Sequence, residues 1–326
     1  MILAGDIGGT KTVLALVTKN ADGALVCEQE QTFPSHAYPE FTDILQAFLP
    51  PGTAVSAACF GVAGPVVGQR CQTTNLPWLL DGEELKKLLG TSQVKLLNDL
   101  EAMALGMLYL PEDDLLELNP NAQAQPGNIA VIAAGTGLGE AMLYWDGERH
   151  HPIGTEGGHC DFAPQTEQQD ALLAYLRGKY PGHVSCERLV SGMGFGNIYD
   201  FLCAHDFATA CLAVPEVSDH DSGIDRNAVI SRLGVSGEDA LCAETVRLFV
   251  ELYGAEAGNL ALKSLAIGGV FIGGGIGPKI LPMMQDGQFI QAFKAKGRFS
   301  GLLDTVSVKL SLNPRTPLIG AINYFA

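Results

Sequence analysis

Short apolar runs alternate along the chain with segments whose apolar residues recur at helical spacing. Residues 13–17, 25–33 and 54–62 are rich in β-branched or alternating residues and predict strands; residues 39–49 and Gly82–Leu89 carry the three- and four-residue spacing of amphipathic helices. In the second half Ile129–Ala134 predicts a strand, and helices are expected over residues 168–177 and 236–265. The last stretch, VSVKLSLNPRTPLIGAINYFA, predicts a strand, a turn at Asn313-Pro314 and a short helix from Pro317. Strands alternating with helices predict an α/β fold.

A polar stretch over residues 111–128, holding Pro111, Pro120 and Pro126, places a domain boundary after residue 110. Residues 219–227 are charged and contain Gly223, and are expected to form an exposed loop. Two segments on either side of the boundary share one pattern: LAGDIGGTKTVLALV and IAVIAAGTGLGEAMLYW each run from an apolar strand through a Gly/Thr turn into a second strand. Each predicts a β-hairpin, and the pair predicts a duplicated architecture.

The hairpin setting changes the chemistry of the turn. In a Walker A loop the Gly-rich segment leads into a helix and ends in GK[ST]; here Asp6-Ile7-Gly8-Gly9-Thr10-Lys11 leads into TVLALV and lacks that ending. A phosphate would be held by turn N–H groups and the Thr10 hydroxyl. Asp6 repels phosphate but can hold Mg²⁺ through water. One such turn alone favours an ordinary tight hairpin; with a second, Gly135-Thr136-Gly137, the pair favours nucleotide phosphate. A third cluster, Gly273-Gly274-Gly275, follows the apolar run GGVFI and is weak evidence alone, although backbone without Cβ atoms suits a flat ligand such as adenine.

HHPIGTEGGHCDF concentrates ionisable groups in a Gly-rich loop. His150, His151, His159, Cys160 and Asp161 invite a zinc reading, yet no second ligand pair lies downstream, as a closed four-ligand site requires. Glu156 and His159 suit a polyol instead, the carboxylate accepting two hydroxyls and the imidazole donating to another; a plain surface loop also fits. Ser185-Cys186-Glu187-Arg188 reads as a helix start capped by Ser185, or as a further carboxylate, Glu187, for sugar hydroxyls. In VKLLNDLEAM an apolar strand runs into Asn98-Asp99, good capping residues for the helix that follows.

Composition narrows the classes. With 326 residues and 47% hydrophobic content the chain can fill two domains. A net charge of −16 argues against nucleic-acid or anionic-membrane partners, which need clustered Lys and Arg. Eight cysteines without a CxxC pair predict mostly buried thiols in a reducing compartment. The opening MILAGD has no basic region and no long apolar run, and the Gly-rich apolar stretch 264–277 is too short to span a bilayer, so a cytoplasmic protein is expected.

Taken in order, DIGGTKT, GVAGPV, TTNLPW, LLNDLEAMALG, AAGTGLG, EGGHCDFAP, CERLVSG, GGVFIGGGI and KGRF resemble the bacterial glucokinases, of the hexokinase and actin-like ATPase superfamily, nearly end to end. The resemblance implies a two-domain actin-like (ribonuclease H-like) α/β fold around a central cleft. Residues 1–110 would form the small domain, completed by a C-terminal helix within about 302–326, and residues 111–301 the large one. It implies ATP-dependent phosphorylation of glucose at the 6-hydroxyl, with Asp99 as general base and Mg²⁺ carried with ATP, and it implies a homodimer. Asn98, Asp99, Glu156, His159 and Glu187 fall on sugar-binding positions. Asp6, Gly8, Gly9, Thr10 and Lys11 match the first phosphate loop, Gly135, Thr136 and Gly137 the second, and Gly273, Gly274 and Gly275 the adenosine segment. The related ROK group follows its EGGH-like loop with a zinc-binding cysteine cluster; here Cys160 stands alone, so the zinc-free branch, with no structural metal, is expected. Three alternatives stand beside this reading: a kinase for mannose, fructose or an amino sugar, a sugar-responsive repressor on the same scaffold, and a pure ATPase.

Overall fold

Two sheets, each with a parallel centre, organise the chain. The computed structural model describes residues 1–217 and 223–326. They divide into a first unit of Met1–Asp114, Pro152–Gly154 and Asn313–Ala326 and a second of Leu115–His151 and Thr155–Leu312.

The first unit carries strands β1 (Ile2–Ile7), β2 (Lys11–Lys19), β3 (Leu25–Pro34), β4 (Ala57–Val62), β5 (Arg70–Gln72), β6 (Leu79–Asp81) and β7 (Val94–Asn98). Its helices before residue 115 are α1 (Phe41–Phe48), α2 (Gly82–Leu89) and α3 (Asp99–Met107). The main sheet runs β3-β2-β1-β4-β7, while β5 and β6 form a separate pair. β1 and β2 make an antiparallel hairpin, and β1, β4 and β7 are parallel. Every residue of β4, AACFGV, is buried, as expected of a strand covered on both faces. β3 instead exposes Glu28 and Glu30, charges that suit the edge it occupies. Helix α2 is bounded by local chemistry: the Asp81 carboxylate accepts from the Glu83 and Glu84 N–H groups, and Gly90 turns left-handed after the last residue.

The second sheet runs β11-β10-β9-β12-β13-β8, from β8 (Leu115–Glu117), β9 (Ile129–Ala134), β10 (Leu138–Trp145), β11 (His150–Thr155), β12 (Gly269–Gly273) and β13 (Val308–Ser311). β9 and β10 form an antiparallel hairpin, and β9, β12 and β13 are parallel. The order β2-β1-β4-β7 is thus repeated as β10-β9-β12-β13, and the twin sequence pattern corresponds to twin topology. The helices are α4 (Glu167–Lys179), α5 (Gly192–Ala204), α6 (Arg226–Ser236), α7 (Ala240–Ser264), α8 (Leu281–Gln285), α9 (Gln288–Lys294) and α10 (Ser300–Asp304). The 25-residue α7 buries residues around most of its circumference and forms the axis of a core that includes Phe195, Phe249, Tyr253 and Phe289. Among the described residues no helix is long and apolar enough to cross a membrane.

The last helix, α11 (Thr316–Asn323), belongs to the first unit and packs on α3 through backbone contact. A Cβ on Gly320 would fall 1.8 Å from the Ala102 carbonyl oxygen, and one on Gly106 would fall 1.9 Å from that of Thr316.

The structure differs from the sequence reading at several points. The return to the first unit begins at Asn313, later than residue 302, because β13 pairs with β12 and β8. The polar stretch 111–128 contains β8, so the first unit extends to Asp114. The strand expected over 54–62 begins at Ala57. Of the loop expected at 219–227, residues 219–222 lie outside the described residues, and Arg226 already starts α6, capped by the Asp225 carboxylate. Four of the eight cysteines are buried; Cys27 and Cys160 are exposed, and Cys203 and Cys211 are half-buried.

Because α3 and α11 meet without side chains between them, Gly320→Ala should force the helices apart and cost about 1–3 kcal/mol. Urea denaturation should show a lowered midpoint with an unchanged slope.

Candidate active site

In the first unit the candidate residues gather at the carboxyl ends of the parallel strands, where ligands of open α/β sheets bind. Asp6 pairs in register with Gly61 of β4, and the next row sets Val62 beside Asn98 at the end of β7. One strand therefore separates the Asp6 and Asn98 backbones, roughly 10 Å at ordinary strand spacing. Asn98 is the cap of α3: its Oδ1 accepts from the Leu100 N–H at 2.9 Å, and its own N–H donates to Glu101 Oε2 at 2.9 Å. Its Nδ2 donates to the Gly64 carbonyl. Asp99 is the first helical residue, half-buried, with Oδ1 accepting from the Leu100 N–H. Gly61 brings α3 close to β4, since a Cβ there would meet Ala102 Cβ at 2.7 Å.

The first Gly-rich turn is strapped from below. Gly8 donates its N–H to the Lys11 carbonyl, Ser35 Oγ donates to the Gly8 carbonyl at 2.8 Å, and the Ser35 N–H donates to the Thr10 carbonyl. Thr10 and Lys11 are exposed, and Gly8 and Gly9 half-buried. Burial pushes the Asp6 carboxyl up to about 6, against the opposing pull of the Lys11 cation.

In the second unit the candidate motifs converge on the β9–β10 hairpin. Gly274 sits against Ala134, where a Cβ would fall 2.3 Å from the carbonyl oxygen, and its positive φ of 81° suits glycine. The Gly135 N–H donates to the Gly137 carbonyl, while the Gly135 carbonyl accepts from Gly192 N–H at 2.8 Å. That contact brings the first turn of α5, with its positive dipole end, to the loop, which favours a bound anion. Glu187 Oε2 accepts from the Leu138 N–H at 3.0 Å. The EGGH loop lies over β10: a Cβ on Gly158 would fall 2.1 Å from the Leu138 carbonyl oxygen, and one on Gly157 would fall 2.1 Å from Glu140 Oε2. Thr136, Glu156, His159 and Gly275 are exposed, Glu187 is half-buried, and Gly273 is buried at the strand end.

Ser185 does not start an α-helix. Cys186–Arg188 is a single 3₁₀ turn, and the Ser185 side chain caps nothing. The backbone is held elsewhere, with Cys186 N–H donating to the Cys160 carbonyl and Phe162 N–H to that of Val184. This pairing brings the Glu187 turn beside the end of the EGGH loop. Cavities of about 390 Å³ beside Arg226 and about 480 Å³ beside Trp78 contain none of the candidate residues.

A family model described as Glucokinase matches residues 3–326. The chain belongs to the glucokinase family. It is 41% identical to the glucokinase of Synechocystis sp. over 98% of this chain and 96% of that protein. A solved glucokinase from an Antarctic psychrotroph superimposes with a TM-score of 0.85 at 34% identity, covering 98% of this chain and 97% of that one. A ROK family glucokinase from Streptomyces griseus, solved with glucose and AMPPNP, shares the fold with a TM-score of 0.63 at 19% identity, over 99% and 98% of the two chains. The fold is therefore that of the sugar kinases of the actin-like ATPase type, and the activity is phosphorylation of glucose.

Two residues near the family motifs escaped the sequence reading. His183 binds the EGGH loop from outside, Nδ1 lying 3.0 Å from Asp161 Oδ1 and Nε2 2.8 Å from the His159 carbonyl oxygen. Its proximity in sequence to Glu187 was the available signal. Glu140 follows the second Gly-rich turn directly, where a charged residue interrupts an apolar strand.

The Asp6 carboxyl is raised, so between about pH 4 and about pH 6 the folded protein binds more protons there than the unfolded chain does, and this residue's contribution to stability falls as pH rises. The melting temperature of the ligand-free wild type should accordingly fall relative to Asp6→Asn across that window. A pH-independent difference between the two would remove the burial effect.

Proposed function

We propose that Asp99 is the general base that accepts the 6-hydroxyl proton of glucose as the γ-phosphoryl of ATP is transferred. The observation that carries this reading is the position of Asp99 in the first turn of α3, at the same sheet end as the Asp6 hairpin. The helix N-terminus favours the ionised form that a base requires. Asn98 is fixed by its two capping bonds and the Gly64 contact, so it can orient the sugar with little reorganisation. Glu156, His159 and Glu187 supply further acceptors and donors for sugar hydroxyls.

The phosphates are assigned to the turns at Gly8, Gly9, Thr10 and Lys11 and at Gly135, Thr136 and Gly137, and adenosine to Gly273, Gly274 and Gly275. Positioning and charge neutralisation are what phosphoryl transfer mainly demands. Turn N–H groups, the Lys11 ammonium and the positive end of α5 answer that demand. The donor set fits Mg²⁺ as an ion that keeps most of its waters: Asp6 offers one half-buried carboxylate at the turn, and a nearby cation would hold it ionised. Bound with ATP, Mg²⁺ would offset phosphate charge. Glucose and AMPPNP in the Streptomyces griseus protein support the same pair of ligand classes here. A cytoplasmic homodimer is part of the proposal, read from the family resemblance, and light scattering should return twice the 34.5 kDa chain mass.

General-base catalysis is worth about 10²–10⁴-fold, so Asp99→Asn should lose at least ~10²-fold in kcat while binding glucose nearly as the wild type does. A coupled ADP-release assay with calorimetric glucose titration checks both; near-normal turnover in the folded variant excludes Asp99 as the base. Glu156→Ala should raise the KM for glucose far more than the KM for ATP in the same assay.

A further inference from the structure

Beneath the EGGH loop lies a carboxyl that phosphoryl transfer does not use. Glu140, on β10, is 1% exposed, and among the described residues its Oε1 has no hydrogen-bond partner. A buried, unpaired polar atom is costly, and a buried unpaired charge far more so. Glu140 is also the floor under Gly157, whose missing Cβ leaves just enough room for Oε2. Thr155 fixes the same seat, its Oγ1 donating to the Glu140 carbonyl at 2.9 Å and accepting from the Gly157 N–H at 3.1 Å.

The groups facing Glu140 come from two other elements. On α7 they are Glu256, Lys263 and Tyr253, and on the 186–188 turn the Cys186 thiol. Glu256 has its own partners: Oε2 accepts from Asn259 Nδ2 at 2.9 Å and from Cys186 Sγ at 3.3 Å, and Oε1 accepts from Lys263 Nζ at 3.3 Å. The Tyr253 hydroxyl is engaged with Ala134 N–H and the Ile132 carbonyl. Lys263 thus serves Glu256, and Lys296, the next cation, donates to the Ala255 carbonyl and Asn259 Oδ1 and faces Glu256 and Lys263, so Glu140 is left as a second acid beside Glu256. The void next to Glu256 measures about 10 Å³, room for about one water and no more.

We propose that Glu140 is a positioning residue for the sugar site: uncharged, it seats Gly157 and with it Glu156 and His159, and ionised, it displaces them. The proposal rests on the assignment of Glu156 and His159 to glucose. Burial first and the Glu256 charge second push the Glu140 carboxyl up to about 7, with Lys263 opposing. The seat is therefore intact below about pH 7 and is lost as Glu140 ionises above it. The anion must then draw in water or move away from Glu256, and Gly157 lies on the side it faces.

The test is the pH dependence of full-length wild type and Glu140→Gln between about pH 6 and about pH 9. In the wild type the KM for glucose should rise several-fold through neutrality, while kcat and the KM for ATP change much less; in Glu140→Gln the glucose KM should stay flat. Retention of the wild-type rise in the Gln variant overturns the proposal. Should Glu140→Gln not fold, Glu140→Leu gives the same readout. Glu256→Gln removes the like charge and should move the wild-type midpoint to lower pH; an unmoved midpoint also counts against the proposal. The Glu156→Ala measurement separates the two readings: a normal glucose KM there overturns the sugar assignment and this proposal together. A raised KM there, with a wild-type profile in Glu140→Gln, overturns only the role of Glu140.

Discussion

Backbone contact at the end of one hairpin, β9–β10, holds the chemistry of the second unit together. Gly274 rests on the Ala134 carbonyl, Gly192 donates to Gly135, Glu187 accepts from Leu138, and the EGGH loop lies on Leu138 and Glu140. Main-chain groups have few conformational options, so motifs fixed through them share one frame. A change in hairpin register would turn each outward-facing group inward and disturb all of these contacts at once.

The glycines in these loops serve two physical ends. At Gly274 the backbone adopts a left-handed φ that side-chained residues avoid, and its Cβ would also collide with a carbonyl oxygen. At Gly157 and Gly158 the cause is close approach alone. The sequence shows glycines in both places and does not distinguish the reasons, because the neighbours that require them lie on other strands.

The same distinction explains what was legible in the sequence. Both hairpins could be read, since an apolar strand, a Gly/Thr turn and a second apolar strand are local signals, and α2 could be placed from the helical spacing of its own apolar residues. Asn98 and Asp99 were recognisable at a strand-to-helix junction, although only the structure shows that Asn98 is the cap and Asp99 the first helical residue. Helix α5 was not read because Gly192, Gly194 and Gly196 lower helix propensity, and the reason for Gly194 is packing against the Leu189 carbonyl. The expected helix at Ser185 fails for a related reason: pairing with residues 160–162 fixes that backbone after a single turn. Glu140 was not singled out, because its burial against α7 depends on residues more than a hundred positions away.

The seating of α11 on α3 has a consequence for how the molecule is made. The first unit begins at Met1, yet its helix layer is completed by residues 313–326, which follow the whole second unit in the chain. During vectorial synthesis the Ala102 and Gly106 surface of α3 must therefore wait, uncovered, while some two hundred intervening residues emerge and can already fold. The second unit can mature on the ribosome; the sheet end that bears Asp6 and Asp99 acquires this helix only after the second unit has emerged.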